Sequence, residues 1–233
     1  MKRSEYIEHL LQIYSLVAVL SQKNGCEVLH LRNKKSETDL VLRSFPHAVA
    51  TYEKLQNIRH INLPEIYDVL EMDDGQIVLE EYIDGLTVAQ VMEIGKYHSS
   101  GARMVLLGLC DALSALHDRG IIHRDVKPEN VMIEKSGRVV LIDFNTSRIE
   151  SGANKDTVIM GTVGYAPPEQ LGLAQTDART DIYAIGVLYN VMLTGQHPSV
   201  TIAPGKVGRI VRKCTAVNPN ERYQTASELW EAL

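Results

Sequence analysis

Apolar and polar positions alternate along the first third of the chain, then give way to helical spacing. Tyr14–Lys23 and Cys26–Arg32 read as two strands around Asn24-Gly25, a dipeptide suited to a two-residue hairpin turn. Asp39–Phe45 reads as a third strand. After Pro46, the residues Ala48, Tyr52, Leu55 and Ile58 recur at helical intervals, and Glu65–Glu71 and Gln76–Ile83 predict two more strands around the turn Asp73-Asp74-Gly75. From Thr87 onward the period is that of helices. Val105, Leu109, Ala112, Leu113 and Leu116 share one face, and Gly120 supplies a stop. Arg179–Leu193 carries Ile182, Ile185, Val187, Leu188, Val191 and Met192 on nearly every side, the pattern of a helix buried in the middle of a domain. The predicted class is α+β: a small β-rich region, residues 1–84, and a larger helical region, residues 85–233, with Gly85 at the boundary.

Composition narrows the function classes. At 45% hydrophobic and 23% charged residues the chain has ordinary globular proportions. Its 24 Lys and Arg against 29 Asp and Glu give a net charge of −5, and no basic run tracks a phosphate backbone, so no nucleic-acid partner is expected. The aliphatic stretch Tyr14–Leu20 is too short to cross a bilayer and lacks a signal-peptide cleavage pattern, so a cytoplasmic chain without a membrane segment is expected. Cys26, Cys110 and Cys214 are widely spaced and odd in number, which argues for reduced thiols over disulfides or a zinc site.

The chemistry-bearing stretch is His123-Arg124-Asp125-Val126-Lys127-Pro128-Glu129-Asn130, followed by a short hairpin, Val131–Glu134 and Val139–Ile142, and then Asp143-Phe144-Asn145. At these spacings the sequence resembles the protein kinase family, over about Tyr14 to Leu233, with the pattern of the serine/threonine class and of compact bacterial members carrying a DFN triplet. The resemblance implies a bilobal protein-kinase-like fold, ATP and Mg²⁺ as cofactors, and a protein Ser or Thr hydroxyl as acceptor. It makes Asp125 the base for that hydroxyl, Lys127 the partner of the γ-phosphate, and Asn130 and Asp143 the metal ligands. It places adenine on the hinge backbone of Glu81 and Ile83, between Val28, Val41 and Met132. Gly161-Thr162-Val163-Gly164-Tyr165-Ala166-Pro167-Pro168-Glu169 resembles the end of a kinase activation loop. The likeness pairs Glu169 with Arg222 and makes Asp181 the anchor of the catalytic loop. Within this loop region, Thr157 or Ser151 is a candidate for autophosphorylation, with Arg124 as the cation for a phosphorylated residue.

The first region departs from the family. Ser21–Val28, aligned on the glycine-rich phosphate loop, keeps none of its three glycines in register, Gly25 standing one position early. Arg43, in Leu40-Val41-Leu42-Arg43, stands where the family has the lysine that bridges the α- and β-phosphates, and Thr51 stands where the family's helix offers that lysine a glutamate. Glu80, in Leu79-Glu80-Glu81, occupies a position usually apolar or Thr, and an inward carboxylate needs a cation. The expectation is that Glu80 pairs with Arg43 from the neighbouring strand; a register slipped by one would turn Glu81 inward instead. Asn145 replaces the glycine of the DFG-type triplet, and Pro198–Cys214 is too short for the helix on which many kinases dock substrates.

Two readings follow, an active Ser/Thr protein kinase and a pseudokinase that binds nucleotide or acts as a scaffold. Asp125, Lys127, Asn130 and Asp143 together favour the first; Arg43, Thr51 and the glycine-poor loop favour the second. A third, an arginine put in place of lysine to silence an active kinase, predicts the same fold.

Overall fold

The computed structural model describes residues 1–149, 164–171 and 176–233. Ser151, Thr157 and Thr162 lie outside the described residues. The chain forms two compact units, one of residues 1–60 and 64–83, the other of residues 61–63 and 84–233.

The first unit opens with helix α1 (Arg3–Ile13), followed by strands β1 (Tyr14–Lys23), β2 (Cys26–Asn33) and β3 (Asp39–Phe45), the short helix α2 (Thr51–Leu55), and strands β4 (Ile66–Met72) and β5 (Gly75–Glu81). The strands form one antiparallel sheet in the order β1-β2-β3-β5-β4. Asn24 and Gly25, with φ of 53° and 76°, make the tight turn between β1 and β2. Opposed residues share a face of the sheet, which sorts the side chains into two layers. Leu29, Leu31, Leu40, Leu42 and Ile77 form a buried cluster on one face, and Tyr6, Ile7, Leu10 and Leu11 of α1 pack on it. Val28, Val41, Arg43, Val78 and Glu80 lie on the other face.

Two elements differ from the sequence expectation. Helix α1 is additional, and its first turn is fastened by Glu5 Oε2 accepting from Lys2 N at 2.9 Å and by Asp74 Oδ1 accepting from Arg3 N at 2.8 Å. The helix expected over Ala48–Ile58 shrinks to 5 residues. At its start the Val49 amide donates to Gln76 Oε1 at 3.0 Å, and at its end Ile58 N reaches back only three residues, to Leu55 O. Both ends therefore leave the α-helical ladder.

The second unit contains β6 (Gly85–Thr87), α3 (Val88–Ile94), α4 (Ser99–His117), β7 (Ile121–Ile122), β8 (Val131–Glu134), β9 (Val139–Leu141), β10 (Arg148–Ile149), α5 (Ala178–Thr194), α6 (Gly205–Cys214) and α7 (Ala226–Ala232). Strands β6-β8-β9 form one small sheet and β10-β7 another. Thr87 caps α3 in a reciprocal box with Gln90. Helix α4 is long and apolar enough, by length and composition, to cross a membrane, and Ala102, Val105, Leu106, Leu109, Ala112, Leu113 and Leu116 are buried within this unit's core. Helix α5 is buried on almost all sides, as its sequence predicts, and residues 195–204 after it form turns and extended chain, with no helix ahead of α6. Gly186 lets α5 and α6 touch, since a Cβ there would fall 2.3 Å from Cys214 Cβ. The segment 61–63 belongs here because Asn62 Nδ2 donates to Val139 O at 2.7 Å and Asn62 O accepts from Leu141 N at 3.0 Å, extending the edge of β9. No disulfide links the three cysteines: Cys26 is half-buried in the first unit, while Cys110 and Cys214 are buried in the second.

Candidate active site

The chemistry-bearing residues of the second unit sit on a loop between β7 and β8 and on the turn after β9. Three devices hold that loop. The first is Asp181 on α5, wholly buried, whose Oδ1 accepts from Arg124 N at 2.8 Å and whose Oδ2 accepts from His123 N at 2.9 Å. His117 Nε2, at the end of α4, lies 2.8 Å from the same Oδ2. Burial alone would push the Asp181 carboxyl up, but the hydrogen bond and charge of His117, the charge of His123 and the loop amides outweigh it and hold it below the ordinary value. The second is Gln170, whose Nε2 donates to Arg124 O at 2.7 Å. The third is local: Arg124 Nε donates to Thr146 O at 2.7 Å, and His123 stacks edge-on against Phe144 with ring centroids 5.2 Å apart. Arg124 and Asp143 both have left-handed backbones, φ 65° and 66°, a conformation costly for such side chains and sustained here by the surrounding bonds.

On this frame Lys127 Nζ lies 2.7 Å from Asp125 Oδ2, and Asn130 Nδ2 donates to both Asp125 O and Asp125 Oδ2 at 2.9 Å. The structure thus brings Asp125, Lys127 and Asn130 into one cluster, with Asp143 on the turn that follows β9. Because the Asn130 amide nitrogen is committed to Asp125, its carbonyl oxygen is the atom presented to a cation. An amide oxygen from Asn130 and a carboxylate from Asp143 are hard donors of the kind Mg²⁺ takes. Among the described residues no group of three or more His, Cys, Asp or Glu side chains forms a metal cage. Mg²⁺ fits such a sparse set because it retains waters and takes phosphate oxygens as ligands.

Met132, on β8, stands opposite Thr87 and Val140. In the first unit, Val28, Val41, Arg43 and Glu80 share one face of the sheet. Arg43 and Glu80 are 6% and 2% exposed, and Arg43 Nε donates to Glu80 Oε1 at 2.6 Å. Sheet register therefore turns Glu80 inward and Glu81 to the opposite face, where Glu81 Oε2 accepts from Glu65 N at 3.1 Å. Ile83 is buried just beyond the end of β5. Thr51 is buried, while Glu53, two residues on along α2, is exposed.

Glu169 and Arg222 form the expected buried pair, Nη1 to Oε1 at 2.5 Å and Nη2 to Oε2 at 2.9 Å. Arg222 also donates to the carbonyls of Ala216, Arg179 and Val217. Sequence reasoning missed three supports, Asn62, His117 and Gln170. Gln170 had a signal in its place beside Glu169; His117 and Asn62 had none beyond their positions next to a helix stop and ahead of Pro64.

The profile of the protein kinase domain matches residues 19–232. The chain belongs to the protein kinase family. It is similar to the serine/threonine-protein kinase PknB of Mycolicibacterium smegmatis, 28% identical over 95% of this chain and 42% of that protein. It is also similar to PknB of Mycobacterium leprae, 30% identical over 75% of the chain and 33% of the relative. Serine/threonine-protein kinase PrkC of Bacillus subtilis is 29% identical over 76% of the chain and 31% of its own length. The kinase chain thus spans less than half the length of these relatives.

Proposed function

We propose that this kinase domain is an active serine/threonine protein kinase that transfers the γ-phosphate of ATP to protein hydroxyls. The observation that carries the reading is the cluster of Asp125, Lys127 and Asn130, fastened through its backbone to a buried carboxylate on α5. A surface loop with no chemical task has no need of that anchoring or of two left-handed non-glycine residues.

In this reading Asp125 accepts the proton of the Ser or Thr hydroxyl as the hydroxyl oxygen bonds to the γ-phosphorus. The bond from that phosphorus to the bridging oxygen breaks, and ADP leaves with the electron pair. Asn130 holds Asp125 in orientation through Nδ2. Lys127, 2.7 Å from Asp125, places a positive charge where γ-phosphate charge accumulates. Asn130 and Asp143 would hold Mg²⁺, which supplies charge neutralisation at the phosphates. Arg43 would take the α- and β-phosphates, and Val28, Val41, Met132 and the backbone of Glu81 and Ile83 the adenine. Thr157 or Ser151 is the proposed site of autophosphorylation. A cytoplasmic setting is part of this proposal, supported by three widely spaced cysteines that form no disulfide.

The test is transfer of labelled phosphate from Mg-ATP to the chain itself and to a generic basic protein, for the parent, Asp125→Ala and Arg43→Lys. Parent activity that disappears in Asp125→Ala is the expected result. Silence in all three would favour the scaffold reading, and activity only in Arg43→Lys would show a kinase silenced at that position.

A further inference from the structure

The ion pair of Arg43 and Glu80 is buried and joins two strands of the sheet. Strands β3 and β5 are hydrogen-bonded neighbours with Val41 opposite Glu80 and Arg43 opposite Val78, so Arg43 and Glu80 are diagonal neighbours on one face. The carboxylate comes from a strand whose register is fixed by backbone bonds. The helix that follows β3 offers a buried Thr51 and, two residues on, an exposed Glu53. The helix itself is only 5 residues long.

We infer that Glu80 is a positioning residue that fixes Arg43 as the phosphate-binding cation from within the sheet, so the cation is set when the first unit folds and does not depend on where α2 sits. The inference rests on the kinase reading above and deepens it. The chemistry of arginine fits the task better than that of lysine. A guanidinium carries five N–H donors spread over a planar fork, so one group can bond Glu80 through Nε and still have the geometry to bond a phosphate through another donor. A lysine at this position would present one ammonium, drawn toward the same carboxylate. The two departures from the family, Arg43 and Glu80, are on this account one feature.

Calorimetric binding of ADP and of adenosine to the intact chain tests the inference, because only ADP carries phosphates. Glu80→Gln should weaken ADP binding about tenfold or more while leaving adenosine within about twofold, since a charge-assisted bond aligns the phosphate donor and plays no part with the nucleoside. The exchanged pair, Arg43→Glu with Glu80→Arg, keeps an internal ion pair and should melt close to the parent, yet it moves the cation to β5 and should lose the preference for ADP over adenosine. Glu53→Gln should bind ADP as the parent does. If Glu80→Gln fails to fold, the exchanged pair decides. Parent-like ADP binding in Glu80→Gln or in the exchanged pair overturns the inference, and parent phosphoryl transfer in the same preparations shows that the kinase reading survives it. A parent that binds ADP no better than adenosine overturns the clamp outright, and one that also transfers no phosphate takes the kinase reading with it.

Discussion

Each unit buries a carboxylate, and the two are held in different ways. In the second unit Asp181 is bonded chiefly to backbone amides, those of His123 and Arg124. In the first, Glu80 faces a side chain, the guanidinium of Arg43. The difference decides what mutation can undo. Backbone amides remain whatever residue they belong to, so the donors that Asp181 satisfies cannot be removed along with it. Arg43 and Glu80 can be exchanged or replaced together. A carboxylate bonded to amides fixes the path of a chain, while one bonded to a side chain fixes the direction of a functional group.

The largest effect that tests this contrast is Asp181→Ala. It strands two buried loop amides and should cost about 3–5 kcal/mol in urea unfolding, with loss of phosphoryl transfer. Replacing Glu169 and Arg222 together by Leu should give an intermediate result, about 2–3 kcal/mol, because that pair joins two side chains but Arg222 also satisfies three carbonyls that stay behind. The smallest effect belongs to Arg43→Met with Glu80→Leu, which removes the first unit's pair whole and should change unfolding stability by about 1 kcal/mol or less while removing ADP selectivity. A cost for this double replacement as large as that of Asp181→Ala would erase the distinction.

The contrast also has a pH signature. The Asp181 carboxyl titrates in the folded chain below its ordinary value of 3.8, so its contribution is fully present above that value and is lost as the pH falls through the depressed folded pKa. Acid unfolding followed by circular dichroism should therefore show a stability loss below about pH 3.8 that is shallower in Asp181→Asn.

The sheet was legible because strands β1 to β5 are short apolar-rich runs separated by turn residues such as Asn24-Gly25 and Asp73-Asp74-Gly75. Alternation allowed either Glu80 or Glu81 to face inward, and the pairing of β3 with β5 selects Glu80. Helix α1 went unread although Tyr6, Ile7, Leu10 and Leu11 form an apolar stripe at helical spacing, because Lys2 is not a capping residue type and the fastening at its start comes from Asp74, far along the chain. The short α2 was overread for the opposite reason: its apolar residues keep a helical period, but Gln76 captures the Val49 amide ahead of its start and Ile58 N turns back to Leu55 O beyond its end. The candidate residues Asp125, Lys127, Asn130 and Asp143 stood out by their types and offsets. The supports from Asn62, His117 and Gln170 did not, since each acts on a backbone atom or a carboxylate remote in sequence.

The placement of the three cysteines gives the chain a built-in clock. Cys26, half-buried in the first unit, is within reach of a thiol reagent in the folded state. Burial pushes the Cys110 thiol up to about 12 and the Cys214 thiol higher still, and Cys214 lies under the close approach of α5 and α6. These two thiols react only in molecules whose second unit has opened, where they regain ordinary acidity. In one labelling time course the Cys26 signal then counts all molecules, and the lag of the other two measures how rarely the helical unit comes apart.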